Sequence, residues 1–337
     1  MADKPVPFDL NVQHAPREFV SHPDGSYGFL IPSAGIGLSL DRVRRERHEL
    51  FGELTVVCDL AGAARLGPDR HGMLGCADWN LSSLRSRSDR AKWIAERSRT
   101  PTIDWAGLLE EFATSVLATD RQGTPVQLLH TLTPEDDTAA LTWEGLRLPR
   151  DHATILFGDG GAGKSYLALY LLGCLAQQGL PVLYADWEFT GSAHRSRLDR
   201  LFPGRPPPIY YVSCDHPLTY EVDRLRRIIR THGITYMVYD SIAFACDGPP
   251  ESAEIATSYF RAVRQLGVGS FHLAHVTKNN ESADQKPFGS SYFHNSARST
   301  WFCKMTTQDE GASLRTVGGW NRKSNVGPKA PAVGWAL

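Results

Sequence analysis

The sequence lacks the features of a membrane-spanning, secreted or zinc-stapled protein. Its 337 residues contain no apolar run of about 18 residues, so we expect no membrane span. The first ten residues contain no basic segment followed by an apolar one, so we expect no secretory signal. Six scattered cysteines without a Cys-x-x-Cys pair provide no zinc framework and indicate reduced thiols in a cytoplasmic protein.

The composition is that of a globular chain. With 42% hydrophobic and 22% charged residues, it argues against disorder, collagen and coiled coil. The length favours about two domains of roughly 100–200 residues each. Residues 1–140 carry 15 Lys and Arg against 20 Asp and Glu, whereas residues 256–337 carry 10 against 4. The basic C-terminal quarter is suited to a polyanion, although an ordinary solvated face has the same appearance.

Residues 121–140 predict a connector, because they hold two prolines and an acidic cluster without a sustained apolar period. Before it, residues 1–120 predict a smaller mixed α+β accessory domain of unknown role. The expected elements of this domain are β structure at 27–40 and 53–60 and helices at 81–98 and 103–117.

Residues 141–337 predict an α/β domain, because short apolar runs alternate with helical patterns. This alternation is typical of a parallel sheet with helices on both faces. The expected strands are 153–157, 181–185, 209–212, 235–239, 271–276, 300–305 and 313–317, and a helix is expected at 164–178.

A phosphate-binding motif follows the first of these strands. Residues 158–165, GDGGAGKS, match G-x-x-x-x-G-K-[ST] between a strand and a helix. The glycines let backbone N–H groups surround a phosphate, Lys164 supplies charge to the β/γ-phosphates, and Ser165 ligates Mg²⁺. We therefore predict ATP and Mg²⁺ as cofactors. The predicted nucleotide-binding residues are Gly158, Asp159, Gly160, Gly161, Ala162, Gly163, Lys164, Ser165 and Tyr166.

Two further acids are expected at the same edge of the sheet. Asp240 ends an apolar strand, where it can hold the Mg²⁺ through water or, alternatively, cap a helix. The next residue is Ser241 and not a glutamate, so the base that activates water must come from elsewhere, or the protein does not hydrolyse its nucleotide. Glu188 is our candidate, with Asp186 as its competitor; the other interpretation makes both of them solvated loop acids.

Together these motifs resemble the RecA-like ATPases, and most closely the RepA/DnaB type of hexameric helicase core. The resemblance covers about residues 141–337 and does not extend to the N-terminal domain. It is carried by GDGGAGKS, by Glu188 in YADWE, by Asp240 without a following Glu, and by His275 in HLAHVTK before FGSSYFHNSAR. It implies a RecA-like fold, ATP hydrolysis, a homo-oligomeric ring and single-stranded DNA as a partner.

The resemblance also implies roles for residues beyond the phosphate loop. His275 would sense the γ-phosphate, unless it is an ordinary core or surface histidine. Arg298 would be an arginine finger that acts on the next subunit, with Lys304, Arg322 and Lys323 as alternates, unless these are surface charges. The catalytic set predicted here is Lys164, Glu188, Asp240, His275 and Arg298.

Nucleic-acid contacts are expected in two places. The resemblance implies channel loops at 245–256 and at 277–288, the second with Lys278, Asn279, Asn280 and Lys286, although mobile polar loops look the same. In the N-terminal half, arginine-rich series at 42–47 and 85–99, with Trp79 and Trp93, could bind bases and phosphates. Interspersed acids favour surface ion pairs instead.

Three functions fit this sequence. The first is an ATP-hydrolysing DNA motor, most simply a RepA-type ring helicase of a plasmid, phage or similar mobile element. The second is a RecA-like recombination or repair ATPase that forms filaments. The third is a regulatory ATPase that does not act on DNA and binds a protein partner through residues 1–120.

Overall fold

The computed structural model describes residues 15–22, 25–59, 72–100, 102–123, 126–133, 140–143, 145–276, 285–306, 316–325 and 327–336. The chain divides into two compact units, Met1–Leu132 and Thr133–Leu337. The division lies inside the segment 121–140 in which we predicted a connector. Among the described residues, no helix has both the length and the apolar character that crossing a membrane requires.

The first unit is an antiparallel five-stranded meander with two helices. Its strands follow one another in the sheet in the order β1 to β5. The elements are β1 (Glu18–Ser21), β2 (Tyr27–Ile31), β3 (Ile36–Glu46), β4 (Glu49–Cys58), β5 (Met73–Asn80), α1 (Leu84–Ser98) and α2 (Trp105–Gln122). In β4 every second residue is buried, which is the period of a strand with one face on a core. Strands and helices share one apolar core.

Polar caps explain where the two helices begin. Ser83 accepts a hydrogen bond from the Ser86 N–H, and Asp104 accepts one from the Gly107 N–H. The helices therefore start slightly later than the apolar pattern predicts. The second helix continues to Gln122, and a 3-10 turn follows at Leu129–Thr131, so part of the expected connector has regular structure.

Two strands of the first unit, β1 and β5, carry no sequence signal that we recognised. Strand β5 pairs with β4 through a register shift between Val56 and Val57. Its burial does not alternate as a result, and a strand without alternation gives no period-2 pattern to detect.

The second unit is built on an eight-stranded sheet, and a separate hairpin of β6 (Ala140–Trp143) and β7 (Leu146–Pro149) precedes it. The strands of the sheet are β8 (Ala153–Phe157), β9 (Val182–Asp186), β10 (Tyr210–Ser213), β11 (Tyr236–Asp240), β12 (Gly269–Ala274), β13 (Ser299–Met305), β14 (Thr316–Ser324) and β15 (Val333–Ala336). Their order is β10-β9-β11-β12-β8-β13-β14-β15. The first six strands in this order pair in parallel. Strand β14 then pairs antiparallel with β13, and β15 pairs antiparallel with β14.

Helices cover both faces of this sheet. They are α3 (Lys164–Gln177), α4 (Gly191–Leu201), α5 (Leu218–His232), α6 (Ile242–Ala245), α7 (Ala253–Leu266) and α8 (Ser291–Ser296). The two faces have separate cores: in β8, Ile155 and Phe157 belong to one, and Leu156 belongs to the other. The predicted RecA-like parallel sheet with helices on both faces is thereby confirmed.

The main differences from the predicted strands are at the C-terminal side. Strand β12 ends at Ala274, so His275 lies just beyond it. Strand β14 runs from Thr316 to Ser324 and is longer than expected, while residues 313–315 of the predicted strand lie outside the described residues. Strand β15 was not predicted, because four residues are too short a window for a periodic signal.

Candidate nucleotide-binding site

The strand order brings four loop starts to one edge of the sheet. Strands β9, β11, β12 and β8 are neighbours and parallel, so their carboxyl ends lie side by side. Asp240 pairs in register with Asp186, and Ala274 pairs with Phe157. The predicted residues Glu188, Asp240, His275 and Gly158 all follow or end these strands, at the edge where open α/β sheets bind ligands.

The phosphate loop owes its conformation to two glycines. A Cβ on Gly158 would lie 2.3 Å from the Cys303 carbonyl oxygen, so only glycine allows this approach to β13. Gly163 has φ +85° and precedes the first residue of α3. Lys164 then begins the helix, and its Nζ donates to the carbonyl oxygens of Gly158, at 3.0 Å, and Asp159, at 2.8 Å.

The charges around Lys164 show which groups share this site. Burial lowers the pKa of Lys164, and the Cys303 side chain and the carboxylates of Asp240, Glu188 and Asp159 oppose that shift. Two of the predicted catalytic acids are thus close enough to stabilise the ammonium charge. The same ammonium group is suited to meet phosphate charge.

A buried tyrosine adjoins both predicted magnesium ligands. The Tyr184 hydroxyl donates to Asp240 Oδ2 at 2.7 Å, and the Ser165 side chain lies close to the same phenol. Burial, together with the Asp240 charge, raises the pKa of Tyr184 well above its ordinary value, so the phenol keeps its proton. Our sequence reasoning missed Tyr184; its one signal was a hydroxyl in an otherwise apolar strand.

The geometry does not support the alternative in which Asp240 caps a helix. The N-cap residue of α6 is Ser241, and no side-chain bond caps that helix. Asp240 is 2% exposed and its carboxylate faces Tyr184. The peptide bond between Asp240 and Ser241 is cis.

Asp186 holds the turn that presents Glu188. Its Oδ1 accepts the backbone N–H groups of Glu188 and Phe189, both at 2.9 Å. Its Oδ2 accepts the Tyr211 hydroxyl at 3.0 Å and lies 3.1 Å from His194 Nε2. Burial acts to raise the pKa of Asp186, but the hydrogen bonds from His194, Phe189 and Glu188 lower it below its ordinary value. Glu188 is exposed, which favours it over Asp186 as a base.

Three buried groups beside this turn have the chemistry of a cation site. Ligand atoms of Asp186, His194 and Asp240 all lie within 4.8 Å of one another. Three donors already occupy lone pairs of Asp186, however, and its Oδ2 also lies 3.1 Å from His194 Nε2. Ser165 and Asp240 supply the oxygen donors that Mg²⁺ prefers and remain our assignment for the metal.

The two histidines of the β12 segment differ in their surroundings. His272 is fully buried between the Tyr259 hydroxyl, 2.7 Å from Nδ1, and Ser270 Oγ, 2.8 Å from Nε2, and burial lowers its pKa to about 3. His275 follows the strand, is partly exposed, and lies beside the phosphate loop, since Gly158 N–H donates to Ala274 O. A core role therefore describes His272 and not His275.

Arg298 lies at the opposite end of the sheet from the phosphate loop. Its N–H donates to the Ala153 carbonyl, at the first residue of β8, and its side chain is exposed. The five residues of that strand, about 16 Å, separate this point from Gly158. Arg298 therefore does not serve the nucleotide site of its own chain, and its position is compatible with the predicted role in a neighbouring subunit and with an exposed surface charge.

The alternate cations are placed differently. Lys323 Nζ donates to the carbonyls of His294, Asn295 and Ala297 and so closes the end of α8. The Arg322 guanidinium lies over the Phe302 ring at 5.5 Å. Lys304 is exposed on β13, beyond the pairing of Phe302 with Phe157, on the phosphate-loop side.

The predicted channel loops are shorter than expected or not described. Ala245 ends α6 and Ala253 starts α7, so the first loop covers only residues 246–252. Residues 277–284, with Lys278, Asn279 and Asn280, lie outside the described residues, whereas Lys286 is described.

In the first unit, several of the suspected DNA-binding arginines have partners within the unit. Arg44 forms two hydrogen bonds with Asp78, Arg87 forms two with Glu110, and Arg97 donates to Leu74 O. Trp79 is 1% exposed and belongs to the core, which corrects its proposed stacking on bases.

Trp93 differs from Trp79. It is 40% exposed, and Arg90 and Arg97 lie over its ring. It borders a groove of about 500 Å³ on α1, lined by Ser83, Arg85, Ser86, Asp89, Arg90 and Trp93.

Among the comparisons with known proteins, one family model covers the segment that holds the site. Residues 124–281, just under half of the chain, match the family model of an AAA domain. The match contains the phosphate loop, Glu188, Asp240 and His275 and ends before Arg298. No curated protein matches the chain. Among solved structures, one described as an ATPase domain is similar at 14% identity with a TM-score of 0.44, over 55% of this chain and 80% of that one.

The family match, the phosphate loop and the strand order lead to the same conclusion. The match falls on the segment in which the motifs resemble RecA-like ATPases, and the acids that the motifs singled out face Lys164. The second half of this chain is thus similar to AAA domains and carries the phosphate loop and the strand order expected of a RecA-like P-loop ATPase.

Proposed function

We propose that this protein is an ATP-hydrolysing DNA motor, most simply a RepA-type ring helicase of a mobile element or phage. The observation that carries the hydrolytic part is the turn at the end of β9. Asp186 fixes that turn by two backbone hydrogen bonds, and it presents an exposed Glu188 next to Lys164 and Asp240. An acid held there is suited to take a proton from water that attacks a γ-phosphate.

The other predicted residues divide the remaining work. Residues 158–166 bind the triphosphate, with Lys164 as the charged group at the β/γ-phosphates. Ser165 and Asp240 are the residues that would hold Mg²⁺, which when bound neutralises phosphate charge. His275, beside the phosphate loop, relays the state of the γ-phosphate to the segment after β12, since its carbonyl accepts the Phe288 N–H at 2.7 Å.

The position of Arg298 supports a ring. A residue at the far end of the sheet reaches a nucleotide only in another copy of the chain, as a finger that stabilises transition-state charge. A closed ring of identical subunits, which we expect to be hexameric, places every Arg298 beside a neighbour's phosphate loop.

The decisive experiment is steady-state ATP hydrolysis with and without single-stranded DNA across a salt titration. We expect strong stimulation that fades as salt rises, because phosphate contacts weaken with ionic strength. Lys164→Ala is the control that should abolish turnover. Hydrolysis that DNA leaves unchanged, in a protein that forms no ring, would refute the motor.

Two alternatives remain connected to specific observations. Arginines paired within the first unit favour a regulatory ATPase whose first unit binds a protein. Salt-insensitive binding of a protein partner without affinity for DNA would identify it. A RecA-like filament shares the same core, and negative-stain images of closed rings or helical filaments separate the two.

A further inference from the structure

The hydroxyl of Tyr184 is bonded to one of the two residues that we assign to the cation and lies close to the other. Tyr184 lies in the middle of β9 and is 1% exposed. A phenol has one proton, and here that proton is donated to Asp240 Oδ2 at 2.7 Å.

This hydrogen bond prepares Asp240 for a cation. The carboxylate is 2% exposed, and the bond from the phenol fixes the orientation of its Oδ2. Without the phenol, the buried carboxylate would lose this partner and could turn away from the cation.

We propose that Tyr184 is a positioning residue for the magnesium site, and that its hydroxyl orients Asp240 for the cation. The proposal rests on the proposed function, since it assigns Asp240 to Mg²⁺. Partners that orient metal ligands in this way typically contribute about 10–100-fold to metal affinity. Tyr184 is thus expected to act on the cation without touching the nucleotide.

A second tyrosine provides a matched control. Tyr236 lies in the neighbouring strand β11 and is fully buried in the same core, and its hydroxyl has no hydrogen-bond partner among the described residues. Tyr184→Phe and Tyr236→Phe each remove one buried hydroxyl from one sheet. A merely structural role would therefore give the two variants the same properties.

The test is metal binding by the nucleotide-loaded protein. Wild type, Tyr184→Phe and Tyr236→Phe are saturated with a fluorescent ATP analogue and titrated with Mn²⁺, whose free concentration is measured by electron paramagnetic resonance. We expect half-saturation to require at least about tenfold more metal in Tyr184→Phe and the wild-type concentration in Tyr236→Phe. Nucleotide affinity in EDTA should be equal in all three.

Each contrary outcome has a distinct meaning. Wild-type metal affinity in Tyr184→Phe, or an equal loss in Tyr236→Phe, would overturn the role of Tyr184 and leave the ATPase intact. A wild-type protein that binds no nucleotide would refute the proposed function itself.

A second measurement avoids a variant that fails to fold. The full chain with 3-fluorotyrosine at position 184 keeps the hydroxyl and reports on its surroundings. We expect its ¹⁹F resonance to move when Mg²⁺ joins bound nucleotide and to stay in place with nucleotide in EDTA. A resonance whose chemical shift is the same with and without Mg²⁺ would overturn the proposal.

Discussion

The two units of this chain use charged residues in opposite ways. In the first unit, arginines meet acids and carbonyls of the same unit, as Arg44 does with Asp78 and Arg87 with Glu110. In the second, Asp240 and Glu188 come from separate strands and act together on Lys164. Pairs that satisfy each other stabilise a surface, whereas charges that converge on one point leave room for a ligand. The comparison locates the chemistry in the second unit.

The largest effect is expected when Arg298 in the second unit is removed. An arginine finger contributes about 10³–10⁵-fold to turnover, so we expect Arg298→Ala to lose nearly all ATP hydrolysis. Because its position excludes a role at its own nucleotide, mixing it with a Glu188→Gln subunit should restore part of the activity. Turnover of the mixtures is the measurement.

The mixing experiment has a clear contrary outcome. Without rescue across all mixing ratios, Arg298 would not act on a neighbouring subunit. Lys304→Ala is the companion variant, since Lys304 is also exposed but lies on the phosphate-loop side of β13. A loss confined to Lys304→Ala would move the essential cation to that residue.

The next effect in size concerns Glu188. A general base contributes about 10²–10⁴-fold, so Glu188→Gln should bind ATP normally and hydrolyse it slower by that factor. Nucleotide binding and single-turnover hydrolysis are measured side by side. Asp199→Asn, which removes an exposed carboxylate on α4, should behave as wild type. Normal turnover in Glu188→Gln would remove the residue from the mechanism.

Much of the ATPase domain was predictable because its chemistry is local in sequence. The phosphate loop is one contiguous motif, and each strand that leads to Asp240 or Glu188 is a short apolar run. Tyr184 and His194 were not predictable in this way. Their roles depend on contacts with Asp240 and Asp186 across strands and a helix, and residue type alone does not reveal such contacts.

In the first unit, the sequence pattern did not reveal which side chains are buried. An arginine and tryptophan pattern suggests nucleic-acid binding, but the pattern does not say which indole is buried. Trp79 lies in the core, and Trp93 lies half in solvent. The difference arises from the irregular pairing of β5, whose register shift cancels the alternation that would have assigned its faces.

A smaller effect is expected where the turn of Glu188 is supported. His194→Phe and Tyr211→Phe each remove one contact to Asp186 Oδ2. We expect kcat to fall roughly tenfold with KM little changed, since misplacing a catalytic group by 1 Å can cost about 10²-fold. Tyr210→Phe is the matched control, because Tyr210 packs on His232. A kcat equal to that of this control would make the Asp186 contacts structural only.

The smallest effect is expected at the groove on α1. Tight binding of DNA in this groove would contradict the contrast drawn between the two units. Stacking of one base on an aromatic side chain contributes about 1–3 kcal/mol, which corresponds to at least about fivefold in affinity. Asp89 lines the same groove, and its Oδ2 lies 3.6 Å from Arg85 Nε. Part of the positive charge of the groove is therefore already compensated. We therefore expect Trp93→Ala to weaken binding of single-stranded DNA by less than about threefold.

Intrinsic fluorescence provides the direct measurement. Trp93 is the most exposed of the eight tryptophans, so the signal lost in Trp93→Phe reports on this groove. Quenching of that signal by oligothymidylate, together with a loss of tenfold or more in Trp93→Ala, would place DNA on the first unit as well. An unquenched signal, together with intact stimulation of ATP hydrolysis by DNA, would place DNA binding in the second unit alone. It would favour a protein partner for the first unit.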